Sequence, residues 1–232
     1  MRMLDQLQRD TVEIFLIRLD EPPAAVRLDD EEQRRAAHFK FDRDRRRFIA
    51  AHAATRVVLG RYIGIDPAQV QFGVGHRGKP YLIEAAVDVR FNLSHSGERA
   101  LLAVTLGREV GVDLEQWRTL DDLFALAERV FSPAEIARLR QAPEALRHEV
   151  FFRVWSRKES FIKARGDGVY FPLAGFDVST EAEGQQLLLA CTASPDDMQR
   201  WTTRALQSEP GYSAAVTVEG SGFEVDLRDF SV

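Results

Sequence analysis

The chain has 232 residues, of which 45% are hydrophobic and 29% charged, and its formal net charge is −5 at pH 7. This composition is typical of a globular protein with one large or two small domains. The negative charge argues against a protein that binds nucleic acid mainly through its phosphates. The single cysteine, Cys191, excludes an intrachain disulfide and a cysteine-based zinc site, and favours a reducing, cytoplasmic location. We expect neither a signal peptide nor a membrane contact, because the apolar runs are too short.

The hydrophobic pattern predicts helices followed by strands, twice. The chain opens with a strand at about 12–18, followed by helices at about 30–39 and 43–63. The predicted strands that come next lie at about 69–73, 81–83, 88–93, 99–106 and 109–115. Helices return at about 121–129, 133–140 and 144–164. The last predicted strands lie at about 175–179, 186–192, 200–206, 212–218 and 223–227.

This order predicts an α+β protein made of two similar halves, residues 1–107 and 108–232. The sequence at 100–105 weakly resembles that at 212–217, near the end of each half. Strands mostly follow strands, which argues against a Rossmann sheet.

Two acidic side chains lie on one face of the strand predicted at 109–115. Side chains alternate along a strand, so Gly111, Asp113 and Glu115 share a face, and Gly111 leaves the backbone open to close approach. Neighbouring carboxylates repel each other unless a cation lies between them, and carboxylate oxygens are ligands of Mg²⁺. A water-facing strand surface is the alternative.

The helix predicted at 144–164 carries an apolar stripe that contains one lysine, Lys158. A buried ammonium group needs a partner or must reach water. Glu159 and Lys163 lie one turn apart at the border of the stripe. If the helix packs on the sheet, Glu159 becomes a third carboxylate beside Asp113; an ordinary surface ion pair with Lys163 is the alternative.

Two further segments could bind phosphate. The cluster Ser94-His95-Ser96 at the end of a predicted strand suggests a phosphate cradle or simply a polar turn. No G-x-S-x-G elbow supports a serine hydrolase. The basic run at 34–47 suggests either a phosphate grip or a solvated helix face balanced by neighbouring acids.

Four motifs together resemble the 4′-phosphopantetheinyl transferases, of the monomeric type that activates surfactin synthetase. G-V-D-L-E at 111–115 and W-S-R-K-E-S-F-I-K-A at 155–164 are similar to the signature pair of that family. G-K-P at 78–80 and F-N-L-S-H-S-G at 91–97 match its other motifs, in the same order. The resemblance extends from about residue 34 to about residue 175, and the last 50 or so residues carry no motif.

The resemblance implies a pseudo-twofold pair of α+β halves with the active site in the cleft between them. It implies transfer of the 4′-phosphopantetheine arm of coenzyme A to a serine of an apo acyl or peptidyl carrier protein, as in holo-[acyl-carrier-protein] synthases, with release of adenosine 3′,5′-bisphosphate. Mg²⁺, or alternatively Mn²⁺, is the implied metal. The implied carriers serve fatty-acid, polyketide, nonribosomal peptide or siderophore synthesis, and the expected state is a monomer.

Carried over motif by motif, the implied metal ligands are Asp113, Glu115 and Glu159. Glu159 is also the implied base for the carrier serine, directly or through water, although binding a metal competes with that role. Lys163 is the second implied catalytic residue and would pair with the pyrophosphate. The first half is implied to hold coenzyme A and the second to carry the acids and the catalytic helix. The implied contacts to coenzyme A are Arg47, Lys79, Ser94, His95, Lys158 and Lys163, with Arg35 matched more loosely.

The apolar segment at 117–131 is implied to contact the carrier, or else simply faces the core.

Two other functions remain open at this point. A different Mg²⁺ enzyme, such as a pyrophosphate hydrolase, would use the same three acids. A binding module could keep the fold and the affinity for coenzyme A without catalysis, but the intact acids and Lys163 argue against it.

Overall fold

A computed structural model describes residues 8–21, 26–75, 77–83, 85–184 and 186–230. These residues form helices and strands in the following order: β1 Thr11–Arg18, α1 Asp30–Ala37, α2 Asp42–Ile63, β2 Phe72–Val74, β3 Pro80–Leu82, β4 Val89–Ser96, β5 Arg99–Leu106, β6 Val110–Gln116, α3 Leu123–Val130, α4 Pro133–Gln141, α5 Arg147–Arg165, β7 Phe176–Val178, β8 Leu188–Cys191, α6 Asp197–Arg200, β9 Trp201–Leu206, β10 Tyr212–Glu219 and β11 Glu224–Asp229. The predicted α+β class is confirmed. None of the described helices is long and apolar enough to cross a membrane.

The chain divides into two compact units. One unit comprises Met1–Gly75, Pro80–Gly107 and Phe223–Val232, and the other comprises His76–Lys79 and Arg108–Gly222. The main change from one unit to the other therefore falls between residues 107 and 108. The predicted division at residue 108 places the last strand in the second half, but β11 belongs to the first unit, where it pairs in parallel with β1.

The first unit is built on a sheet with strand order β11-β1-β5-β4, and β2 pairs separately with β3. Helix α1 begins with a capping box formed by Asp29 and Glu32. Helix α2 ends at Gly64, whose φ of 72° is readily adopted only by glycine. Small buried residues of α2, among them Ala50 and Ala54, pack with the sheet in one apolar core. Burial of this face is what holds α2 in place.

The second unit is built on an antiparallel sheet with strand order β6-β10-β9, and β7 pairs with β8. Helix α4 begins with a capping box formed by Ser132 and Glu135. Helix α5 lies at the centre of an aromatic core that includes Phe161, Phe176 and Trp201. The rings of Phe161 and Phe176 have centroids 4.6 Å apart, a distance typical of favourable aromatic packing.

Three local expectations differ from the structure. Strand β4 continues through Ser94-His95-Ser96, so these residues do not form a turn; the turn follows at Gly97. A short 3-10 turn, Glu144–Leu146, precedes α5. The strand predicted at about 69–73 begins only at Phe72, because Pro67–Gln69 forms a 3-10 turn.

Candidate active site

Helix α5 packs directly on β6, and the contact depends on Gly111. A Cβ atom at this position would lie 2.2 Å from the Ser160 carbonyl oxygen and 2.2 Å from the Ala164 nitrogen. No larger residue fits there without displacing the helix backbone. Close approach at Gly111 is therefore confirmed, and the element that approaches is α5. The hydroxyl groups of Ser160 and Thr217, which lies on β10, are 2.9 Å apart and add a polar contact beneath the helix.

This packing brings the charged residues of α5 to the acids of β6. The Lys163 ammonium lies 2.6 Å from Asp113 Oδ1, and the Asp113 side chain is only 3% exposed. A buried carboxylate is costly to ionise without a cation nearby, and Lys163 supplies one. The Lys163 ammonium donates a hydrogen bond to Asp113, so Lys163 connects α5 to β6.

Glu159 lies beside the same acids. Burial, together with the negative charges of Asp113 and Glu115 and against the positive charge of Lys163, raises the pKa of Glu159 from 4.5 to about 7. The three predicted metal ligands thus lie close enough to influence one another electrostatically. They are not preassembled: within the described ranges, no three His, Cys, Asp or Glu side chains are grouped closely enough to hold a metal ion.

Two residues outside the predicted site contact Glu115. The Trp155 indole N–H donates a hydrogen bond of 3.1 Å to Glu115 Oε1, and Arg118 Nη1 lies 3.9 Å from Glu115 Oε2. Trp155 also stacks on Phe151, with ring planes 9° apart. Trp155 lies one helical turn before Glu159, a spacing that could have placed it on the same side of α5.

The prediction that Lys158 contacts coenzyme A is wrong. Its side chain is 0% exposed and forms an ion pair of 2.9 Å with Glu135, which is equally buried. The Lys158 ammonium also donates to the carbonyl oxygens of Leu173 at 2.7 Å and Phe176 at 2.6 Å. All three N–H groups therefore have acceptors inside the unit.

Lys79 lies at the C-terminal end of α5. Its ammonium donates to the Ala164 carbonyl oxygen at 2.8 Å and to Glu109 Oε2 at 2.6 Å. A cation at this end of a helix satisfies a terminal carbonyl and is favoured by the helix dipole. Its predicted contact with coenzyme A stays a prediction.

Three residues predicted to bind coenzyme A lie in the first unit. Arg47 Nη2 is 2.8 Å from Glu98 Oε1, so this guanidinium group forms an ion pair. Ser94 is buried and His95 exposed, as expected for neighbours on opposite faces of β4. The two side chains therefore do not form one cradle, and their contacts with coenzyme A stay predictions. The looser match, Arg35, lies over the Phe48 ring at 5.2 Å.

Much of the basic run at 34–47 is neutralised by nearby acids. Arg34 pairs with Glu31, and Asp42 pairs with both Arg45 and Arg46. These pairs agree with a solvated helix face rather than a phosphate grip for this part of the run.

The segment at 117–131 packs largely against the core of the second unit. Leu123 and Phe131 are buried, and Phe124 and Leu126 are partly buried against the same cluster. The Trp117 indole N–H donates to Ser213 Oγ at 2.8 Å. This packing favours the core-facing interpretation, and docking of a carrier on this segment stays a prediction.

Two family descriptions match the chain on either side of residue 107. Residues 109–217 match the 4′-phosphopantetheinyl transferase superfamily, and residues 22–106 match the N-terminal part of 4′-phosphopantetheinyl transferase. The 4′-phosphopantetheinyl transferase HetI of Nostoc sp. is 37% identical over 94% of this chain and 92% of its own length. A 4′-phosphopantetheinyl transferase of Bacillus subtilis is 31% identical over 88% of this chain and 91% of its own. A solved ACPS–CoA complex of Chronobacterium ammoniagenes aligns with a TM-score of 0.37 at 21% identity, over 50% of this chain and 98% of that one.

Proposed function

The chain belongs to the 4′-phosphopantetheinyl transferase family and transfers the phosphopantetheine arm of coenzyme A to a carrier protein, and we propose that Asp113, Glu115, Glu159 and Lys163 carry out this reaction with Mg²⁺. The observation that carries the proposal is the contact between α5 and β6. There Lys163 contacts Asp113, and the charges of Asp113 and Glu115 contribute to the raised pKa of Glu159. All of these residues lie in the second unit.

The donor set suits a hard divalent cation. It consists of carboxylate oxygens, without thiol or imidazole, which favours Mg²⁺ or Mn²⁺ over zinc. Burial and the neighbouring acids raise the pKa of Glu159, so ionising this side chain is costly without additional positive charge. When bound, Mg²⁺ would neutralise charge on the pyrophosphate of coenzyme A and on its leaving bisphosphate.

The side chains divide the remaining work. The serine oxygen bonds to the phosphorus that bears the pantetheine arm, and the bridging P–O bond breaks as adenosine 3′,5′-bisphosphate leaves. Glu159 accepts the hydroxyl proton, directly or through water. Lys163 moves from Asp113 to the pyrophosphate oxygens, where its charge stabilises the transition state.

We further propose that Arg47, Lys79, Ser94 and His95 bind coenzyme A. Basic and hydrogen-bonding side chains suit its phosphates. Binding would compete with the present ion pairs of Arg47 with Glu98 and of Lys79 with Glu109. The proposed partner is an acyl or peptidyl carrier protein, the proposed state a monomer, and the proposed location the cytoplasm, which suits the buried free thiol of Cys191.

The test is intact-mass spectrometry of an apo acyl carrier protein and an apo peptidyl carrier protein, each incubated with the enzyme and coenzyme A. We expect one carrier at least to gain a single phosphopantetheine arm with Mg²⁺, and neither with a chelator. Glu159→Gln and Lys163→Met should abolish the gain. Glu149→Gln is the matched control, because Glu149 lies on the same helix and pairs with Arg153 instead.

Three results would contradict the proposal in distinct ways. Absence of the mass gain with both carriers would refute the transfer. A gain that persists in the chelator would refute the metal requirement. Cleavage of coenzyme A without a gain in carrier mass would identify a hydrolase.

A further inference from the structure

Lys158 belongs to the signature helix, yet the proposed reaction does not use it. It lies between residues that do take part, one position before Glu159 and five before Lys163. Its ammonium is fully buried between Glu135, two carbonyl oxygens and the Phe176 ring, whose centroid is 4.1 Å away. A lysine so enclosed cannot touch the substrate, so any role in the reaction must be exerted through the helix.

Glu135 extends this contact to two other elements. Its Oε2 accepts a hydrogen bond of 2.8 Å from the Ser132 N–H at the start of α4. Its Oε1 accepts one of 2.7 Å from the Val178 N–H on β7. The ion pair therefore joins α4, α5 and β7 through directional contacts that apolar side chains would not provide. A buried ion pair is seldom worth more to stability than a well-packed apolar pair, and its advantage is a defined geometry.

The pair restrains α5 on the side that the sheet does not reach. Successive residues of a helix are about 100° apart around its axis. The contact at Gly111 determines how close α5 comes to β6, whereas Lys158 opposes rotation about the helix axis. A carboxylate roughly 6 Å from the axis moves about 2 Å for a rotation of about 20°. Displacements of about 1 Å at a reacting group can cost about a hundredfold in rate.

We propose that Glu135 and Lys158 are positioning residues that hold the rotation of α5 and thereby place Glu159 and Lys163 for the reaction. This inference rests on the proposed function. It assigns a role in the reaction to Glu135, which lies outside the signature motifs, and to a motif lysine that contacts no substrate.

Arg157 provides a matched control on the same helix. It is also fully buried, and it donates to the carbonyl oxygens of Ser179 at 2.6 Å and Ala182 at 3.1 Å. It lies about 200° around the axis from Glu159, and its two bonds reach a single loop. Lys158→Met and Arg157→Met each remove one buried cation, so both should lower the thermal unfolding midpoint.

The experiment measures kcat, KM for coenzyme A and the unfolding midpoint of each variant, at a temperature where circular dichroism shows all of them folded. We expect Lys158→Met to lower kcat by about a hundredfold or more and to change KM by less than about threefold. Arg157→Met should leave both within about threefold of the wild type. Glu135→Gln, which keeps an acceptor for one of the two N–H groups, should lower kcat by about tenfold.

A spectroscopic measurement reports the helix rotation without turnover. With 5-fluorotryptophan incorporated, the ¹⁹F resonance of Trp155 should shift in Lys158→Met, because its hydrogen bond to Glu115 depends on the orientation of α5. It should stay in place in Arg157→Met. Replacing each tryptophan by phenylalanine assigns the three resonances.

The proposal is overturned if Lys158→Met keeps the wild-type kcat, or if Arg157→Met loses as much kcat at an equal loss of stability. If Lys158→Met does not fold, Glu135→Gln decides: a folded variant with the wild-type kcat overturns the inference. A wild-type enzyme that transfers nothing to either carrier refutes the proposed function instead, so the two failures are distinguishable.

Discussion

Replacing Glu159 with glutamine should stabilise the metal-free protein at neutral and alkaline pH while it abolishes transfer. Burial, together with the charges of Asp113 and Glu115, raises the pKa of Glu159 from 4.5 to about 7. The folded state therefore holds this proton more tightly than the unfolded state. The resulting contribution to stability is complete below pH 4.5 and is lost as the pH rises through about 7.

The size of the effect follows from the same values. One pH unit corresponds to about 1.4 kcal/mol, so ionising Glu159 in the folded protein costs up to about 3 kcal/mol. This is an upper limit, because the side chain is partly accessible and water screens some of the repulsion. Glutamine has nearly the same size and no charge at any pH. We expect Glu159→Gln to exceed the wild type by about 1 to 3 kcal/mol at about pH 8, and by almost nothing at about pH 4.5.

The assay is urea unfolding followed by far-ultraviolet circular dichroism, at several values between about pH 4.5 and about pH 8 and in the presence of a chelator. Comparison of midpoints at constant slope gives the difference in unfolding free energy. Glu149→Gln should show no such gain, since its carboxylate pairs with Arg153. If Glu159→Gln is no more stable than the wild type at about pH 8, ionised Glu159 does not destabilise the folded protein and its pKa is not raised.

Three further predictions follow from the contacts. Gly111→Ala should lower the unfolding free energy by about 3 kcal/mol and abolish transfer, because the new Cβ meets backbone atoms of α5 at 2.2 Å; full activity would contradict this. Lys163→Met should lower the unfolding free energy of the metal-free protein by about 1–3 kcal/mol, because it removes the cation beside Asp113. Thermal unfolding should show that added Mg²⁺ restores the lost stability. Arg47→Ala should raise KM for coenzyme A by about tenfold, whereas Glu98→Gln, which removes only the ion pair, should leave KM within about twofold.

Contact between β6 and α5 could be predicted from the sequence because both faces carry strong local signals. Gly111 lies in a strand whose other residues have larger side chains, and the apolar stripe of α5 requires a surface to pack against. The alternation of Asp113 and Glu115 and the one-turn spacing of Glu159 and Lys163 then place the charges on facing surfaces. These inferences rest on periodicity, which a single sequence displays.

The partners of buried charges could not be predicted in the same way. Periodicity shows that Lys158 points inward but does not show which residue meets it, since Glu135 lies 23 positions earlier on another helix. The same limit applies to β11, which reads as a strand although its parallel pairing with β1 joins the two ends of the chain. Ser94 and His95 were misplaced for a different reason: polar residues near a glycine resemble a turn, but pairing with β5 continues the strand through them.

Helix α5 carries two groups of charged residues, one buried in the core of the unit and one beside the acids of β6. Arg157 and Lys158 are buried, and their hydrogen bonds are accepted by carbonyl groups and Glu135. Glu159 and Lys163 lie beside the acids of β6, where burial and the charges of Asp113 and Glu115 raise the pKa of Glu159. The Lys158–Glu135 ion pair is the contact that we propose opposes rotation of α5 and keeps Glu159 beside those acids.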